Sequence, residues 1–543
     1  MKNNVNLDCK YIMPIRIVAS EGCQKADLLL TKTPRQAVFG GIELVTVEKD
    51  GYIILDFGRE IHGGLNITVY NRDENAKLHL TFGESVSEAL SSIGEKGATN
   101  DHAMRDYELE LAGSMHTFET ENTGFRFVRL RAVNGKIMIS GVQAKFVYRD
   151  LKYYGNFECN DSELNEIWKT AAYTVQLNMQ EYIWDGIKRD RLVWIGDMHP
   201  EVSTALAVFG EADVIKDSLD VTMDSTPAGH WANGIASYSM WWIVLQRDWF
   251  IATADKAYIE KNSEYIFALL ESMLNCINED GSDSFTGGGL PAYFVDWSSC
   301  ETKNMATGFH GVLLIALDAG RELCRYLNNS TLAEKLSAAA ENVRKFTPDY
   351  EDNKQTAALA ALSGLIDCKT AAEIIKKNGA EGFSTFMGYY SLLALQAAGE
   401  MTAALEIIKK FWGGMIKMGA TTFWEEFDIK DMENSYRIDE LPQEGKHDVH
   451  GDFGGFCYGG LRKSLCHGWS SGPAAFMCKK VLGVIPLEPG YKKIRLCPDL
   501  GNLEWAKGSV PTPYGLISVE YRRENGEIKT KIDVPEGITI EEG

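Results

Sequence analysis

The feature that most constrains this chain is a helical hydrophobic period that recurs between residues 161 and 483. In the segment 162–183, apolar residues fall at positions i, i+3, i+4 and i+7, and Asp161 or Ser162 can cap its first turn. The same pattern returns in the segments 238–255, 263–277, 308–327, 331–346, 355–365, 389–411 and 470–483. Helix and loop therefore alternate roughly every 35–50 residues, which favours an (α/α)6 toroid of about a dozen helices. A plain helical bundle is the alternative, but long loops rich in aromatic and acidic residues are more typical of a functional site.

Both ends of the chain carry β patterns instead. Short alternating runs such as 51–58, 64–70 and 125–133 predict a β-sandwich, because turn residues separate them at short intervals. Near the C-terminus, Asn525-Gly526 between two alternating runs predicts a type I′ hairpin. We therefore predict a multidomain fold in which an all-α (α/α)6 toroid is flanked by N-terminal and C-terminal β-sandwich domains. The expected domain boundaries are 1–153, 154–483 and 484–543.

Length and charge narrow the classes of function. A chain of 543 residues can bury a large core without disulfides or metals. Its formal net charge of -21 disfavours nucleic acid and anionic membrane surfaces as partners, because both attract clustered Lys and Arg. It has 11 cysteines, no C-x-x-C pair and no signal-peptide pattern at its N-terminus, so we expect a cytoplasmic protein with reduced thiols.

We expect neither a metal nor a cofactor. The spacing of the one dense group of candidate ligands matches no standard zinc pattern; the group is His447, His450, Cys457, Cys466 and His467. Motifs for a phosphate-binding loop, a dinucleotide-binding turn, a nucleophile elbow or an H-E-x-x-H zinc site do not occur in the required context.

The densest group of chemically active side chains lies in WDGIKRDRLVWIGDMHPE (184–201). Beside two tryptophans it carries charges of both signs: Asp185, Lys188, Arg189, Asp190, Arg191, Asp197 and Glu201. Aromatic rings pack against the apolar faces of sugars, while carboxylates and arginine bind hydroxyl groups. The segment therefore predicts a sugar site, and a purely structural cluster of ion pairs is the alternative.

A second carboxylate source is GATTFWEEFD (419–428), which places Glu425 beside an indole ring. Two carboxylates from separate segments suit glycoside hydrolysis, in which one acid protonates the leaving oxygen and the other activates water or attacks. An exposed acidic loop is the alternative reading of this segment.

Two further segments add aromatic and polar groups. GGGLPAYFVDWSS (287–299) presents Asp296 and Trp297 on a glycine-shaped loop, for which a buried tryptophan with a capping aspartate is the alternative. CHGWSSGPAAF (466–476) places His467 just before a predicted helix, where a single histidine is more often structural.

Taken together and in order, these motifs resemble a known family. RDRLVWIGD (189–197) is similar to the signature D-C-P-Q-R-D-E-R-L-G-W-T-G-D of bacterial α-L-rhamnosidases of glycoside hydrolase family 78. GATTFWEEFD resembles their G-A-T-T-x-W-E-R-W-D, FVDWSS resembles their aspartate-tryptophan loop, and the His467 segment resembles their asparagine-histidine turn. GFRFVRL (124–130) and GSVPTPYG (508–515) are similar to parts of the flanking sandwiches, so the resemblance covers nearly the whole chain from about residue 30.

The resemblance implies an (α/α)6 catalytic domain, inverting hydrolysis of a terminal α-L-rhamnose or a related deoxysugar, and no cofactor. By matching position, Glu425 takes the role of the general base. The residues implied to hold the sugar are Asp197, Trp194, Trp297 and His467, with Asp296 and Trp241 as further candidates for the same pocket. Asp185 and Arg189 would hydrogen-bond its hydroxyl groups.

The chain departs from the family at the general acid. The family reads Arg-Asp-Glu-Arg, whereas this chain reads Arg189-Asp190-Arg191, which is one residue shorter. Aligned from Trp194 and Asp197, Asp190 replaces the family's glutamate; aligned from the left, that glutamate is missing. We take the first frame and predict that Asp190 donates the proton, although aspartate is one methylene shorter than glutamate.

The expected partner is a small glycoside or oligosaccharide. A homodimer is possible on this sequence. Two alternatives remain. The missing glutamate also fits a catalytically inactive carbohydrate-binding protein on the same scaffold. A different (α/α)6 glycosidase specificity, such as that of an unsaturated-uronyl hydrolase, would require a net basic pocket for its anionic substrate, and the motifs hold more carboxylates than Arg or Lys.

Overall fold

The structure is a computed structural model that describes residues 7–31, 43–299, 303–351, 353–455 and 458–541. Its strands are β1 (Asp8–Ile12), β2 (Arg16–Gln24), β3 (Val45–Arg72), β4 (Lys77–Gly83), β5 (Asp106–Glu110), β6 (His116–Glu119), β7 (Thr123–Val133), β8 (Ile137–Tyr148), β9 (Asn156–Cys159), β10 (Ser435–Tyr436), β11 (His447–Asp448), β12 (Val484–Pro486), β13 (Lys493–Leu496), β14 (Trp505–Thr512), β15 (Gly515–Glu524), β16 (Glu527–Asp533) and β17 (Thr539–Ile540). Its α-helices are α1 (Val86–Leu90), α2 (Ser162–Asn178), α3 (Met198–Val208), α4 (Asp213–Ser225), α5 (Ala236–Thr253), α6 (Lys256–Lys261), α7 (Ser263–Leu274), α8 (Met305–Tyr326), α9 (Ser330–Val343), α10 (Lys354–Leu362), α11 (Cys368–Lys376), α12 (Gly388–Ala397), α13 (Met401–Lys417) and α14 (Gly472–Phe476).

The chain divides into two compact units that are each built from several segments. The first unit contains Met1–Asp150, Gln176–Arg191 and Met415–His467. The second contains Leu151–Val175, Leu192–Gly414 and Gly468–Gly543. Many helices therefore lie between an N-terminal and a C-terminal region of antiparallel strands.

The first unit is built on one eight-stranded sheet with the order β1-β8-β3-β7-β4-β5, in which β2 and β6 also pair with β3. Strand β3 is 28 residues long, and a shift of register between Asp56 and Ile61 lets it change partners along its length. It pairs with β7 in both parts and with β8 chiefly from Gly63 onward. Its inward side chains, including Ile53, Leu55 and Ile67, are fully buried and form part of the core.

The second unit carries the helical layer. Helix α8 is central to it, since α5, α9 and α10 all pack against α8, and α10 packs in turn against α11 and α12. The strands of this unit form a four-stranded sheet of order β16-β15-β14-β9 and a three-stranded sheet of order β12-β13-β17. Strand β9 thus joins the C-terminal strands although about 340 residues of chain separate it from them.

Most predicted helices are present, with shifted ends. Asp161 caps α2, as predicted, because its side chain accepts the backbone N–H groups of Glu163 and Leu164. The segment 389–411, predicted as one helix, is instead the two helices α12 and α13. Helices α1, α3, α4, α6 and α11 are not among the predicted helices. No helix in the described part of the chain combines the length and apolar character needed to cross a membrane.

The predicted strands are also present, with one difference in how they are divided. The runs 51–58 and 64–70 were predicted as separate strands and are one continuous strand, β3. The hairpin at Asn525-Gly526 is confirmed: Glu524 pairs with Glu527, and both turn residues have positive φ values of 51° and 87°. Positive φ at both central positions is the geometry of a type I′ turn.

Gly483 offers a direct test of the packing where the helical region meets β12. Its φ is +62°, and a Cβ atom built there would lie 2.0 Å from the carbonyl oxygen of Cys497. Gly399 is the matched control, because its φ is +83° and a Cβ atom there would meet nothing within 4 Å. We expect Gly399→Ala to cost about 1 kcal/mol of unfolding free energy from backbone strain alone. Gly483→Ala should cost about 3 kcal/mol or more, because a backbone clash adds to that strain. Urea unfolding of both variants measures the difference. Equal losses of unfolding free energy in the two variants would contradict the close packing of Gly483 against Cys497.

Candidate active site

Three segments of the first unit meet through backbone hydrogen bonds. The N–H of Glu425 donates to the carbonyl of Ser464 over 2.9 Å, and the N–H of His467 donates to the carbonyl of Phe423 over 2.9 Å. Gly186 forms an isolated β-bridge with His467, which adds the segment that follows α2. Residues predicted to share a site are thereby brought together from positions about 280 apart in the chain.

Glu425 is a buried carboxylate with an arginine partner. Its side chain is 1% exposed, forms an ion pair with the guanidinium of Arg189, and accepts the backbone N–H of Ser464 over 2.9 Å. Burial by itself would raise the pKa of Glu425, but Arg189, His467 and the Ser464 N–H together lower it to about 2. The guanidinium also lies over the ring of Tyr458, 3.9 Å from its centroid. Glu425 is therefore ionised at all physiological pH values.

His467 and Asp185 lie beside this pair. The imidazole Nε2 of His467 is 4.0 Å from a carboxylate oxygen of Asp185, and both side chains are 3% exposed. Burial lowers the pKa of His467 to about 4, against the charge of Glu425, which raises it. His467 is thus neutral near pH 7, and a neutral imidazole has one donor and one acceptor nitrogen.

Asp190 lies at the more open edge of the same group. Its carboxylate is 30% exposed and is 3.2 Å from a terminal nitrogen of Arg189, so one guanidinium contacts both Asp190 and Glu425. Asp190 and Arg191 have φ values of 52° and 54°, which is the left-handed region that residues with a side chain rarely adopt. Two such residues in succession store strain, and strain of this kind is concentrated at functional sites.

A buried ionic cluster contacts the backbone segments that carry these residues. The carboxylate of Glu84 accepts the backbone N–H of Leu465 over 2.6 Å and the hydroxyl of Ser464 over 3.2 Å. Lys188 Nζ lies 3.1 Å from Glu84 and 3.2 Å from Glu88. Glu84 and Lys188 therefore fix the backbone on either side of the site, next to His467 on one segment and next to Arg189 on the other.

The same cluster contains the group of side chains best suited to a metal. Ligand atoms of Glu84, Glu88 and His450 lie within 4.8 Å of one another. The ammonium group of Lys188 binds both carboxylates, so the protein itself supplies the positive charge there. Of the predicted candidate ligands, His450 belongs to this group and Cys457 lies outside the described residues.

The other predicted residues lie in the second unit. Asp197 is buried and accepts the hydroxyl of Tyr238 over 2.8 Å, and the half-buried ring of Trp194 packs edge-on against Tyr238 at 6.3 Å. Phe294 continues this row, since its ring centroid is 6.4 Å from that of Tyr238 and 5.1 Å from that of Trp297. The indoles of Trp194 and Trp297 thus flank a buried aromatic pair.

Asp296 and Trp241 are both buried in the second unit. Asp296 accepts hydrogen bonds from the backbone and hydroxyl of Ser298, and burial raises its pKa. Trp241 is fully buried and stacks on His199 at 4.9 Å and on Tyr390 at 5.1 Å. A sugar cannot touch Trp241 in this conformation, so its contribution is to hold its neighbours in place.

The predicted site residues therefore form two groups. Asp185, Arg189, Asp190, Glu425 and His467 belong to the first unit, while Trp194, Asp197, Trp241, Asp296 and Trp297 belong to the second. Sequence reasoning missed the supporting residues Glu84, Ser464 and Tyr238. Glu84 and Ser464 carry no motif, and only the tyrosine, which is near the start of a predicted helix rich in tryptophan, offered a signal.

Comparison with known families decides the class of this protein. Residues 152–481 match the model of the bacterial α-L-rhamnosidase six-hairpin glycosidase domain, and residues 483–541 match that of the bacterial α-L-rhamnosidase C-terminal domain. The chain belongs to the bacterial α-L-rhamnosidase family.

Individual family members are only distantly similar. An α-L-rhamnosidase of Alteromonas sp. (strain LOR) is 24% identical, and the match covers 91% of this chain and 56% of that protein. The glycoside hydrolase family 78 rhamnosidase structure of Bacillus sp. GL1 superposes with a TM-score of 0.74 at 20% identity, covering 94% of this chain and 55% of the other. A Klebsiella oxytoca rhamnosidase structure with rhamnose bound gives a TM-score of 0.67 at 20% identity, covering 87% of this chain and 96% of the other. The chain spans about half the length of the curated relatives it matches.

Glu84 gives the supporting cluster a pH signature. Burial and the neighbouring Glu88 raise its pKa to about 7, although Lys188 lowers it, whereas a glutamate in an unfolded chain titrates near 4.3. As the pH rises from about 4 to about 7, the unfolded chain loses this proton first, so the folded state loses stability in that window. Glu84→Gln keeps an acceptor of the same shape and cannot titrate. We expect the unfolding free energy of the native chain to fall relative to Glu84→Gln by about 3 kcal/mol between pH 4 and pH 7.

The measurement is urea unfolding of both proteins across this pH range. Glu524→Gln on β15, where the side chain is exposed, controls for the loss of one negative charge. A constant difference between the native chain and Glu84→Gln at every pH would show that Glu84 is not held protonated in the fold.

Proposed function

We propose that this protein is a glycosidase that releases a terminal α-L-rhamnose, or a related deoxysugar, from small glycosides. The family match and the names of the relatives support this, because the relatives from Alteromonas and Streptomyces avermitilis are α-L-rhamnosidases. The rhamnose in the Klebsiella oxytoca and Streptomyces avermitilis structures supports the same sugar.

The observation that carries the proposal is the state of Glu425. This carboxylate is enclosed, ionised and held in place by Arg189 and by the N–H of Ser464. A general base must be ionised and fixed in direction before it can accept a proton from water. We assign this role to Glu425, with the attacking water on the face of the sugar opposite the leaving group.

Asp190 is the proposed general acid. Its partial exposure makes it accessible to a glycosidic oxygen, and its 3.2 Å contact with Arg189 holds the carboxylate in place. For inversion, the carboxyl groups of Asp190 and Glu425 should lie roughly 6.5–9.5 Å apart across the bound sugar.

The remaining predicted residues are proposed to hold the substrate. The residues proposed to bind hydroxyl groups of the sugar are Asp185, Arg189, His467, Asp197 and Asp296. The half-buried indoles of Trp194 and Trp297 would pack against the C5-methyl side of a deoxysugar. Trp241 would act indirectly, through the rings stacked on it.

We also propose the finer architecture expected from the sequence. The helices of 154–483 form an (α/α)6 toroid, and β-sandwich domains at 1–153 and 484–543 flank it. The matched segments 152–481 and 483–541 support these boundaries, although the compact units of the structure divide the chain differently. A cytoplasmic location fits the buried free thiols of Cys159, Cys324, Cys466 and Cys478.

One observation favours a second function, that of a carbohydrate-binding protein without turnover. The family's general-acid glutamate has no counterpart in sequence if Asp190 fails to replace it, and Asp190 is ion-paired with Arg189. Sugar binding by Asp185, His467 and the indoles would persist in that case.

Hydrolysis of 4-nitrophenyl α-L-rhamnopyranoside tests the base assignment. Glu425→Gln keeps the size of the side chain and its Ser464 contact but cannot accept a proton, so kcat should fall by about a hundredfold or more. Glu426→Gln, one residue along, is the matched control and should retain activity. Full activity of Glu425→Gln would sink the assignment, and ¹H NMR showing β-L-rhamnose as the first product would support inversion.

The acid assignment is tested by the leaving group. Asp190→Asn should reduce kcat strongly for phenyl α-L-rhamnoside and much less for the 4-nitrophenyl compound, whose leaving oxygen needs little protonation. An equal reduction for both compounds would move the acid elsewhere, with Asp197 and Glu201 next to be tested. Rhamnose binding without any hydrolysis by the native chain would favour the second function.

The Arg189 contact predicts a pH effect. With the pKa of Glu425 near 2, kcat/KM of the native chain should fall from loss of the base only below about pH 3. Arg189→Gln removes the charge that lowers this pKa while burial still raises it, so the acidic fall should move to higher pH. If the acidic limb of the pH profile is unchanged in the variant, Arg189 does not lower the pKa of the base.

A further inference from the structure

A cavity of about 750 Å³ opens in the second unit among α3, α5, α8 and the strands β12, β14 and β15. None of the predicted site residues lines it. Its walls are mainly apolar and include Leu206, Phe209, Ile251, Tyr326, Val510 and Pro511. A volume of this size is typical of sites for small organic ligands.

Apolar side chains at the mouth of this cavity are left in solvent. Tyr154 is 43% exposed, Ile485 is 38% exposed and Leu516 is 42% exposed, and all three line the cavity. Exposed large apolar groups are ordinary when scattered singly, but their convergence on one opening marks a binding surface. The rings of Phe209, Tyr326 and Tyr491 favour a planar aromatic body inside.

One end of the cavity carries charged groups, and some of these are already paired. Arg247 donates to Asp248 over 2.5 Å and lies 3.4 Å from Glu322. The other oxygen of Asp248 lies 3.1 Å from His199. These groups are satisfied within the protein and leave little capacity for a ligand.

The two adjacent lysines differ from each other. Burial lowers the pKa of Lys479, but the neighbouring Tyr389 and Asp248 raise it above its ordinary value. Lys479 contacts the hydroxyl of Ser203 over 3.2 Å, and the structure shows neither an ion pair nor a hydrogen bond for Lys480 within the part of the chain that it describes. Burial and the charge of Lys479 lower the pKa of Lys480. Both lysines lie in the π-helical turn Met477–Val481, a rare geometry that is frequent at functional sites.

We propose that this cavity binds an aromatic organic acid, with its ring against the aromatic wall and its anionic group at Lys479 and Lys480. An anion there compensates the ammonium group of Lys480, which is partly removed from water and repelled by the charge of Lys479. A neutral ligand of the same shape gains the apolar contacts but leaves this repulsion in place. The charge of the ligand therefore decides its affinity.

A pair of dyes tests this on the full chain. The probe 1-anilinonaphthalene-8-sulfonate carries a sulfonate, whereas N-phenyl-1-naphthylamine has the same rings without a charge. We expect the sulfonate dye to bind with one molecule per chain by calorimetry, at least about tenfold more tightly than the neutral dye. Saturating L-rhamnose should not displace it. Equal affinity for the two dyes would overturn the proposal.

Lysine variants locate the dye. Lys480→Gln should weaken binding of the sulfonate dye by about tenfold and leave the neutral dye unaffected, while Lys480→Arg should restore most of the affinity. Lys369→Gln, an exposed lysine on α11, is the matched control and should change nothing. Ala252→Trp, which fills the cavity from α5, should abolish binding of both dyes. Unchanged sulfonate binding in Lys480→Gln or in Ala252→Trp would place the dye elsewhere and contradict the site.

These outcomes do not depend on glycosidase activity. A chain that hydrolyses rhamnosides but fails the dye tests would retain its proposed function and lose this second site. A chain that binds the dye as expected but hydrolyses no rhamnoside would retain this second site and lose its proposed function.

Discussion

The buried ion pair between Arg189 and Glu425 is the interaction on which the candidate site in the first unit depends. Removing two charges from water costs several kcal/mol per ion, and only close pairing with further hydrogen bonds offsets this. The Ser464 N–H and the ring of Tyr458 supply such contacts, and Glu84 and Lys188 fix the backbone on each side. Loss of either partner would leave an uncompensated charge, so the pair fixes how three distant segments meet.

The broad fold was predictable because periodicity survives in any segment with one buried face. Prediction from periodicity fails where a segment is buried on nearly all sides or where a short turn interrupts it. Helix α3 has almost every residue buried and therefore shows no polar stripe. Gly399, with a φ of +83°, ends the run that was predicted as one helix at 389–411. Helix α4 buries a single face, so its sequence carries an amphipathic helical pattern even though no helix is predicted there.

The candidate site was predictable to the extent that motifs carry it. Arg189, Asp190, Glu425 and His467 stand in recognisable segments, and the structure brings them together. Glu84 was not predictable, because its role comes from contacts with Ser464 and Leu465 about 380 residues away. A single sequence holds no local sign of such a contact. The direction of Arg189, toward two carboxylates at once, also depends on the fold rather than on spacing.

The charge balance of the first unit bears on the choice among sugars. Asp185, Asp190 and Glu425 are acidic, Arg189 is paired with Asp190 and Glu425, and His467 is neutral near pH 7 because burial lowers its pKa. A uronate ligand would add a further negative charge to a group that already has more acidic than basic members. A neutral sugar leaves the balance unchanged and can use the carboxylates as hydrogen-bond acceptors for its hydroxyl groups. The electrostatics of these residues therefore favour a neutral sugar over the anionic substrates of an unsaturated-uronyl hydrolase.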